Sequence, residues 1–303
     1  MQQVAITLTT FIVKVLRYAL TQLMKLDAYL HKNFNIEVHN KKVIGSTQKY
    51  DMVAAADESY YAEQYWNRIK AFLKTEAIDS KGYFLDLGCG QGRMSIPLAK
   101  WCAPSGRVSA IDLSSHAIDQ ARKYAGSLNN IDFKAIDLFE YLQTIPDHTF
   151  DGIIMLEVIF FLPNYEKALA EAMRVLKPGG FFIGSFRPQY FNLLCCLQRG
   201  LWTSIDTILK ERSGDIVGGG LRFNWHTVPE LKIMMEKDLN LSVKHISGIG
   251  VCSGIPSDPH AQIIRPALLT QKEQQDLLKA EQQMGELLPE AGRYILIAAR
   301  KES

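Results

Sequence analysis

This sequence has no run of lysine or arginine, no low-complexity tract and no internal repeat. Its 303 residues carry a formal net charge of only +2, too small a surplus to argue for nucleic acid as a partner. Cysteine is sparse. The five thiols, Cys89, Cys102, Cys195, Cys196 and Cys252, are odd in number and include no C-x-x-C pair. That pattern suits neither a disulfide framework nor a zinc site, so no metal is expected. Reduced thiols point to an intracellular protein, with the cytoplasm as the expected compartment. The apolar N-terminus lacks the basic start and small-residue cleavage site of a secretion signal. Lys14 and Arg17 interrupt its apolar run before it reaches membrane-spanning length.

What is present is ordinary in bulk. Hydrophobic residues make up 47% and charged residues 22%, the balance of a globular protein. The length allows one large α/β domain with added segments, or two small ones. Residues 4–34 read as a helix with one polar stripe, Lys14, Arg17, Thr21 and Lys25, and apolar residues such as Phe11, Leu16, Leu20 and Leu23 away from it. Such a helix packs on its own domain, on a second copy in a homodimer, or on a membrane surface. Residues 40–57 read as a connection and 58–75 as a second helix rich in aromatics.

From residue 83 the pattern changes. Strand-like runs (YFLDL, RVSAID, IDFKAID, FDGIIML, FFIGSF) alternate with helical ones starting near Met94, Ser115 and Tyr165. That succession predicts an α/β fold, a parallel sheet with helices on both faces and its ligand at the strand C-termini. Beyond Phe186 a helix is expected near 190–210, another at about 227–238, a strand near 241–249, a helix from about 270 to 288 and a closing strand, RYILIAAR.

The most informative stretch is Phe84-Leu85-Asp86-Leu87-Gly88-Cys89-Gly90-Gln91-Gly92-Arg93. An apolar strand runs into a glycine-rich turn, and a helix follows at once. Glycines there allow a tight turn and close ligand approach, and the helix N-terminus offers unpaired amides. A dinucleotide site wants G-x-G-x-x-G, but Arg93 occupies the third-glycine position. Asp86, two residues before the first glycine, would repel a pyrophosphate and suit a cationic ammonium group. The cofactor expected is therefore S-adenosyl-L-methionine and not NAD. Asp112, about twenty residues further on at the next strand end, is placed to accept ribose hydroxyls. Asp137 at the third strand end can accept from the adenine amino group, with Leu138 covering the ring.

The runs LDLGCGQGR, AIDLS, IDL, FDGIIMLEVIFFL and Leu176-Lys177-Pro178-Gly179-Gly180 resemble, in order and spacing, the class I S-adenosylmethionine-dependent methyltransferase superfamily, over roughly residues 81–186. The resemblance implies a Rossmann-like, mostly parallel seven-stranded sheet with a helical N-terminal cap over residues 1–80. The catalytic domain would span 81–303, with substrate-lid insertions at about 187–225 and 251–292. It implies that Gly88, Cys89, Gly90, Gly92 and Arg93 cradle the methionine part, with Asp86 near its amine. Asp112 and Leu113 would hold ribose and adenine, Asp137 and Leu138 would flank the adenine, and Leu156 and Glu157 would border the methionine end. MLEVIFFLPN is similar to the quinol and polyprenol-phenol O-methyltransferase group. Those enzymes carry Glu-His where this chain has Phe160 and Phe161, which suggests an apolar wall instead.

Methyl transfer from a sulfonium mainly requires the acceptor held in line, while a hydroxyl acceptor usually wants a general base. The candidates are His226, just before a helix, and Glu157. His260 reads as a solvated loop residue and His245 as a structural strand residue. Tyr60, Tyr61, Tyr65 and Trp66 form either a lid over the cofactor or a core face. Phe191, Leu193, Leu194, Leu197 and Trp202 line either an acceptor pocket or an ordinary helix contact. The function expected is methyl transfer to oxygen or nitrogen of a small, partly apolar molecule, a natural product or a lipid-like or quinol precursor. The alternatives are a cofactor-binding scaffold without catalysis, a protein or RNA methyltransferase and an NAD-dependent oxidoreductase. No Asn/Asp-Pro-Pro-Tyr motif supports the nucleic-acid or protein reading.

Overall fold

The computed structural model describes residues 36–48, 51–215, 221–256 and 258–302. The helix expected over 4–34, with its homodimer or membrane contact, and the glycine cluster Gly218–Gly220 lie outside the described residues. Helix α1 (Ile36–Gln48) covers part of the stretch read as a connection, and α2 (Ala56–Thr75) follows it. The connection is in fact only a few residues around Asp51, whose carboxylate accepts the Val53 and Ala54 amides at 3.0 and 2.8 Å. An Asp that caps backbone amides in this way turns the chain between two helices.

The central alternation is observed as expected: β1 (Tyr83–Leu87), α3 (Ser95–Cys102), β2 (Arg107–Asp112), α4 (Ser115–Ala125), β3 (Ile131–Ala135), α5 (Leu138–Gln143), β4 (Phe150–Met155), α6 (Tyr165–Val175) and β5 (Leu176–Phe186). Helix α7 (Gln189–Arg199) ends at Gly200, in the left-handed region at φ 68°, and α8 (Ile205–Lys210) starts anew. One continuous helix over 190–210 is therefore not formed, because Gly200 supplies a C-terminal stop. A two-stranded ribbon, β6 (Ser213–Gly214) with β7 (Phe223–Asn224), precedes α9 (Val228–Ile233). The chain finishes with β8 (Leu241–Ile249), α10 (Gln271–Leu287) and β9 (Tyr294–Lys301).

The main sheet has seven strands in the order β3-β2-β1-β4-β5-β9-β8. All are parallel except β9, which runs antiparallel to both neighbours. Neighbouring strand residues alternate faces, as a pleated strand requires. Phe84, Ile154 and Phe181 join one core, with Tyr60, Tyr61, Tyr65 and Phe72 of α2 and Ile118 of α4. Leu85, Ile153 and Phe182 join the other, with Leu142 of α5, Leu169 of α6 and Leu231 of α9. Helix α2 thus belongs to the core of the sheet. Its tyrosines Tyr60, Tyr61 and Tyr65 are buried there, the core face of the two readings. A stripe spaced by three and four residues on an amphipathic helix faces the nearest apolar surface, and that surface is the sheet.

Among the described residues no helix is long and apolar enough to cross a membrane. All five thiols are free.

Candidate active site

The order of strands sets where a site can form. Strands are added from β1 towards β3 on one side and from β4 towards β5 on the other, so the order switches between β1 and β4, the crevice at which doubly wound sheets bind ligands. A cavity of about 560 Å³ lies there, along the C-terminal ends of the parallel strands, within the roughly 300–1,000 Å³ usual for small-molecule sites. It is lined by Asp86, Gly88, Cys89, Gly90, Arg93, Asp112, Leu113, Asp137, Leu138, Leu156 and Glu157. Ten of these are the residues expected to hold the cofactor, and Glu157 is the carboxylate considered as a base. Gly92 alone of the expected set does not line it. At φ +84°, a Cβ on Gly92 would come within 3.0 Å of Ile96 Cδ1, so its part is to let the loop pack on α3.

The loop is held open from behind. The Gly88 and Cys89 amides both donate to the Ile111 carbonyl, at 2.8 and 2.9 Å. Gly88 is at φ +78°, and a Cβ there would meet Val158 Cγ2 at 2.6 Å. Only glycine lets the loop pass so close to the chain leaving β4. Gly90 (φ +52°) differs, since a Cβ there would project into open space.

Three carboxylates mark the polar floor. Asp86 is buried, and Ser95 Oγ donates to its Oδ2 at 2.5 Å. Burial pushes its pKa up to about 7, against the opposing pull of the Ser95 hydroxyl. A buried carboxylate without an ion-pair partner is costly; Asp86 has none among the described residues, and an ammonium group of a ligand would relieve that cost. Asp112 accepts the Gly90 amide on one oxygen and the Ser114 amide on the other, each at 2.8 Å. Burial raises its pKa as well. Each oxygen keeps a second lone pair, so Asp112 shapes the loop and can still accept from a ribose diol. Asp137 is both the N-cap of α5, accepting the Phe139 amide at 2.8 Å, and a lining residue. The residues present therefore fit S-adenosylmethionine: a buried acid for its amine, an open glycine loop, a two-oxygen acceptor and apolar cover from Leu113 and Leu138.

Arg93 is clamped. Its Nη1 meets Glu58 Oε2 at 2.7 Å and its Nη2 meets Glu157 Oε1 at 2.6 Å. Glu157 has a left-handed backbone, φ +57°, and its amide donates to Ser185 Oγ at 2.7 Å. Burial pushes the Glu157 pKa up, but Arg93, with Arg293 and Arg187, holds it below the ordinary carboxylate value. For Glu58 burial wins and its pKa is raised, despite Arg93. Glu157 is therefore an engaged carboxylate, poorly suited to accept a proton.

His226 does not line the cavity. It is buried, with Nε2 at 3.1 Å from the Tyr165 hydroxyl, and burial pushes its pKa down to about 4. It lies between β7 and α9, behind the site, and is tied to the β5–α7 connection by its amide, which donates to the Arg187 carbonyl at 3.0 Å. As a candidate base it is corrected by position. His260, read as a solvated loop residue, is buried against Phe191 in a 3-10 turn, with ring centroids 5.5 Å apart. Phe191, Leu193, Leu194, Leu197 and Trp202 do not line the cavity either. Trp202 is exposed, and Leu193 packs on Cys196, Ile208 and Trp225.

The apolar end of the cavity comes from elsewhere. Phe160 and Phe161 form a wall, with ring centroids 4.1 Å apart and Phe223 packed behind them. Ile255 and Pro256 face it from the β8–α10 connection, and Val43 and Ile44 from α1. His39 of α1 is locked at the same end, its Nε2 donating to the Phe161 carbonyl at 2.7 Å and its Nδ1 accepting the Arg222 amide at 3.4 Å. Glu58, Arg187, Arg293 and Tyr294 also line the cavity. Sequence reasoning missed them. Arg187 and Tyr294 sit at a strand end and a strand start, which is the only signal that could have found them.

Residues 85–184 match the family model described as a methyltransferase domain. This segment is a class I S-adenosylmethionine-dependent methyltransferase domain. Over 110 residues the chain is 36% identical to an S-adenosyl-L-methionine-dependent Diels-Alderase of Talaromyces variabilis, covering 35% of this chain and 36% of that one. Over 102 residues it is 32% identical to a demethylmenaquinone methyltransferase of Symbiobacterium thermophilum, covering 33% and 41%. The matches thus span well under half the length of these curated relatives. A solved S-adenosylmethionine-dependent methyltransferase of Mesorhizobium loti shares the fold, with a TM-score of 0.50 at 17% identity over 83% of this chain and 100% of that one. The methyltransferase domain takes S-adenosylmethionine as its cofactor, and the cavity described above is where its residues would hold it.

Proposed function

We propose that this chain transfers a methyl group from S-adenosylmethionine to a small, partly apolar acceptor. The observation that carries the reading is one continuous cavity with a polar floor fit for the cofactor and an aromatic wall, Phe160 and Phe161, at its other end. The cofactor supplies a methyl group on a sulfonium, open to in-line attack. The chain's own contribution is placement: the floor fixes one reactant, and the wall with Ile255 and Tyr294 confines the other and excludes water. His39, Glu58 and Glu157 are each engaged with a partner and provide no free base beside the wall. The acceptor atom is then an oxygen or nitrogen that is already nucleophilic, or that ionises readily. A natural product or a quinol-like or lipid-like precursor meets that requirement. The demethylmenaquinone methyltransferase among the relatives is named for such a substrate. Nothing in the cavity lining suggests a polymer groove, so protein and RNA acceptors are not favoured.

Calorimetric titration with S-adenosylmethionine and S-adenosylhomocysteine, on the protein and on Asp112→Ala, tests the first half. Micromolar binding, about −8 kcal/mol, that weakens at least tenfold in the variant is expected. Release of S-adenosylhomocysteine in step with a methylated metabolite tests the second half. Product without that release would point instead to a cofactor-dependent reaction of the Diels-Alder type, the activity in the name of the Talaromyces relative. Absence of cofactor binding would overturn the reading.

A further inference from the structure

We infer that Arg187 anchors an oxyanion of the acceptor, a carboxylate or similar singly charged planar group on an apolar body. The inference rests on the transferase reading above and adds the acceptor's charge to it.

Arg187 follows directly on the last residue of β5 and lines the cavity beside the aromatic wall. Three rings surround its guanidinium: Tyr294, Phe160 and Phe191, with centroids at 4.5, 4.6 and 4.7 Å. Its two hydrogen bonds are long. Nη1 donates to the Arg293 carbonyl and Nη2 to the Tyr294 hydroxyl, both at 3.4 Å. The other two arginines of the cavity are served differently. Arg93 bridges Glu58 and Glu157 at 2.7 and 2.6 Å, and Arg293 meets Asp258 at 3.1 Å. Arg187 pairs with no carboxylate among the described residues.

A guanidinium has five N–H donors in a rigid fork. Aromatic faces offset part of its charge but offer no lone pair in the plane of that fork. A cation among rings at the edge of an apolar chamber is stabilised far more by a desolvated anion than by water shared across a cavity mouth. The size of that anion follows from the count of partners. The lining holds no lysine, and its other arginines are already neutralised. One cation without an ion-pair contact among the described residues suits a carboxylate, or an enolate or phenolate oxygen, better than a phosphate dianion. The same charge would help an acidic acceptor bind in its ionised form, which fits a site without a free base.

The test uses the full chain saturated with S-adenosylhomocysteine and titrated with 2-naphthoate and with neutral 2-naphthamide. The acid is expected to bind about tenfold tighter or more, as one charge-assisted hydrogen-bonded contact implies. Arg187→Met should bring acid and amide to parity. Arg187→Lys should keep part of the preference, since it retains charge but loses the fork. Affinity for S-adenosylhomocysteine, measured on each variant, reports that the fold is intact. Equal binding of acid and amide to the unsubstituted protein, or a preference that survives Arg187→Met, overturns the anchor and leaves the apolar-acceptor reading standing. Binding of neither probe, with the cofactor product bound, overturns both.

Discussion

Arg93 and Glu157 meet at 2.6 Å and join the loop after β1 to the turn after β4, the two chain segments that flank the crevice. Glu58 closes the clamp from α2 at 2.7 Å. The position that a dinucleotide site would give to its third glycine is thus occupied by a cation that ties α2 to the C-terminal ends of β1 and β4. This arrangement explains why α2 sits in the core while contributing Glu58 to the cavity lining.

Glu157→Gln should lower stability by about 2 kcal/mol at neutral pH, less than the loss of a whole buried pair because Arg93 keeps Glu58. Glu157 has a depressed pKa in the folded protein, so its contribution is present above the ordinary carboxylate pKa. That contribution is lost as pH falls through the depressed value. The difference between the two proteins in urea denaturation should therefore shrink in acid. A gap that widens in acid would contradict the clamp.

Cofactor binding should release a proton near neutral pH. Asp86 titrates at about 7 in the free site because burial disfavours its charge. An ammonium group beside it favours the carboxylate and lowers that value. Affinity should then rise with pH through 7 and level off above it. Calorimetry in buffers of differing ionisation enthalpy reads the proton directly, and Asp86→Asn should abolish the dependence. Affinity that is flat from pH 6 to 8 would remove Asp86 from the amine's surroundings.

His226 should govern acid stability and not turnover. Burial holds its folded pKa at about 4, below the ordinary imidazole value of 6.5. The unfolded chain therefore binds the extra proton between those values, and stability falls as pH drops from 6.5 to 4, by about 3 kcal/mol in total. His39, His245 and His260 are lowered too and act in the same direction. His226→Gln should flatten part of this slope in denaturant titrations while S-adenosylhomocysteine still binds. A variant that keeps the full slope would refute the assignment.

The amino-acid sequence is legible where local rules decide. A strand entering Gly88-Cys89-Gly90 must turn tightly, and an acid at each of the next strand ends must face the same edge, because parallel strands joined by helices all present their C-termini there. The alternation of patterns from β1 to β5 carries that information without reference to distant contacts. The break at Gly200 and the helix at Ile36–Gln48 were harder to see, since short polar helices lack a clear apolar period. The tertiary structure decided the acceptor end. Phe160, Arg187, Ile255 and Tyr294 come from four separated segments, and the antiparallel insertion of β9 beside β5 is what brings Tyr294 next to Arg187. The same packing moved His226 behind the site and turned the tyrosines of α2 into core. Amphipathic spacing shows that a face is buried but not against what, and a histidine before a helix has no reach until the chain around it is folded.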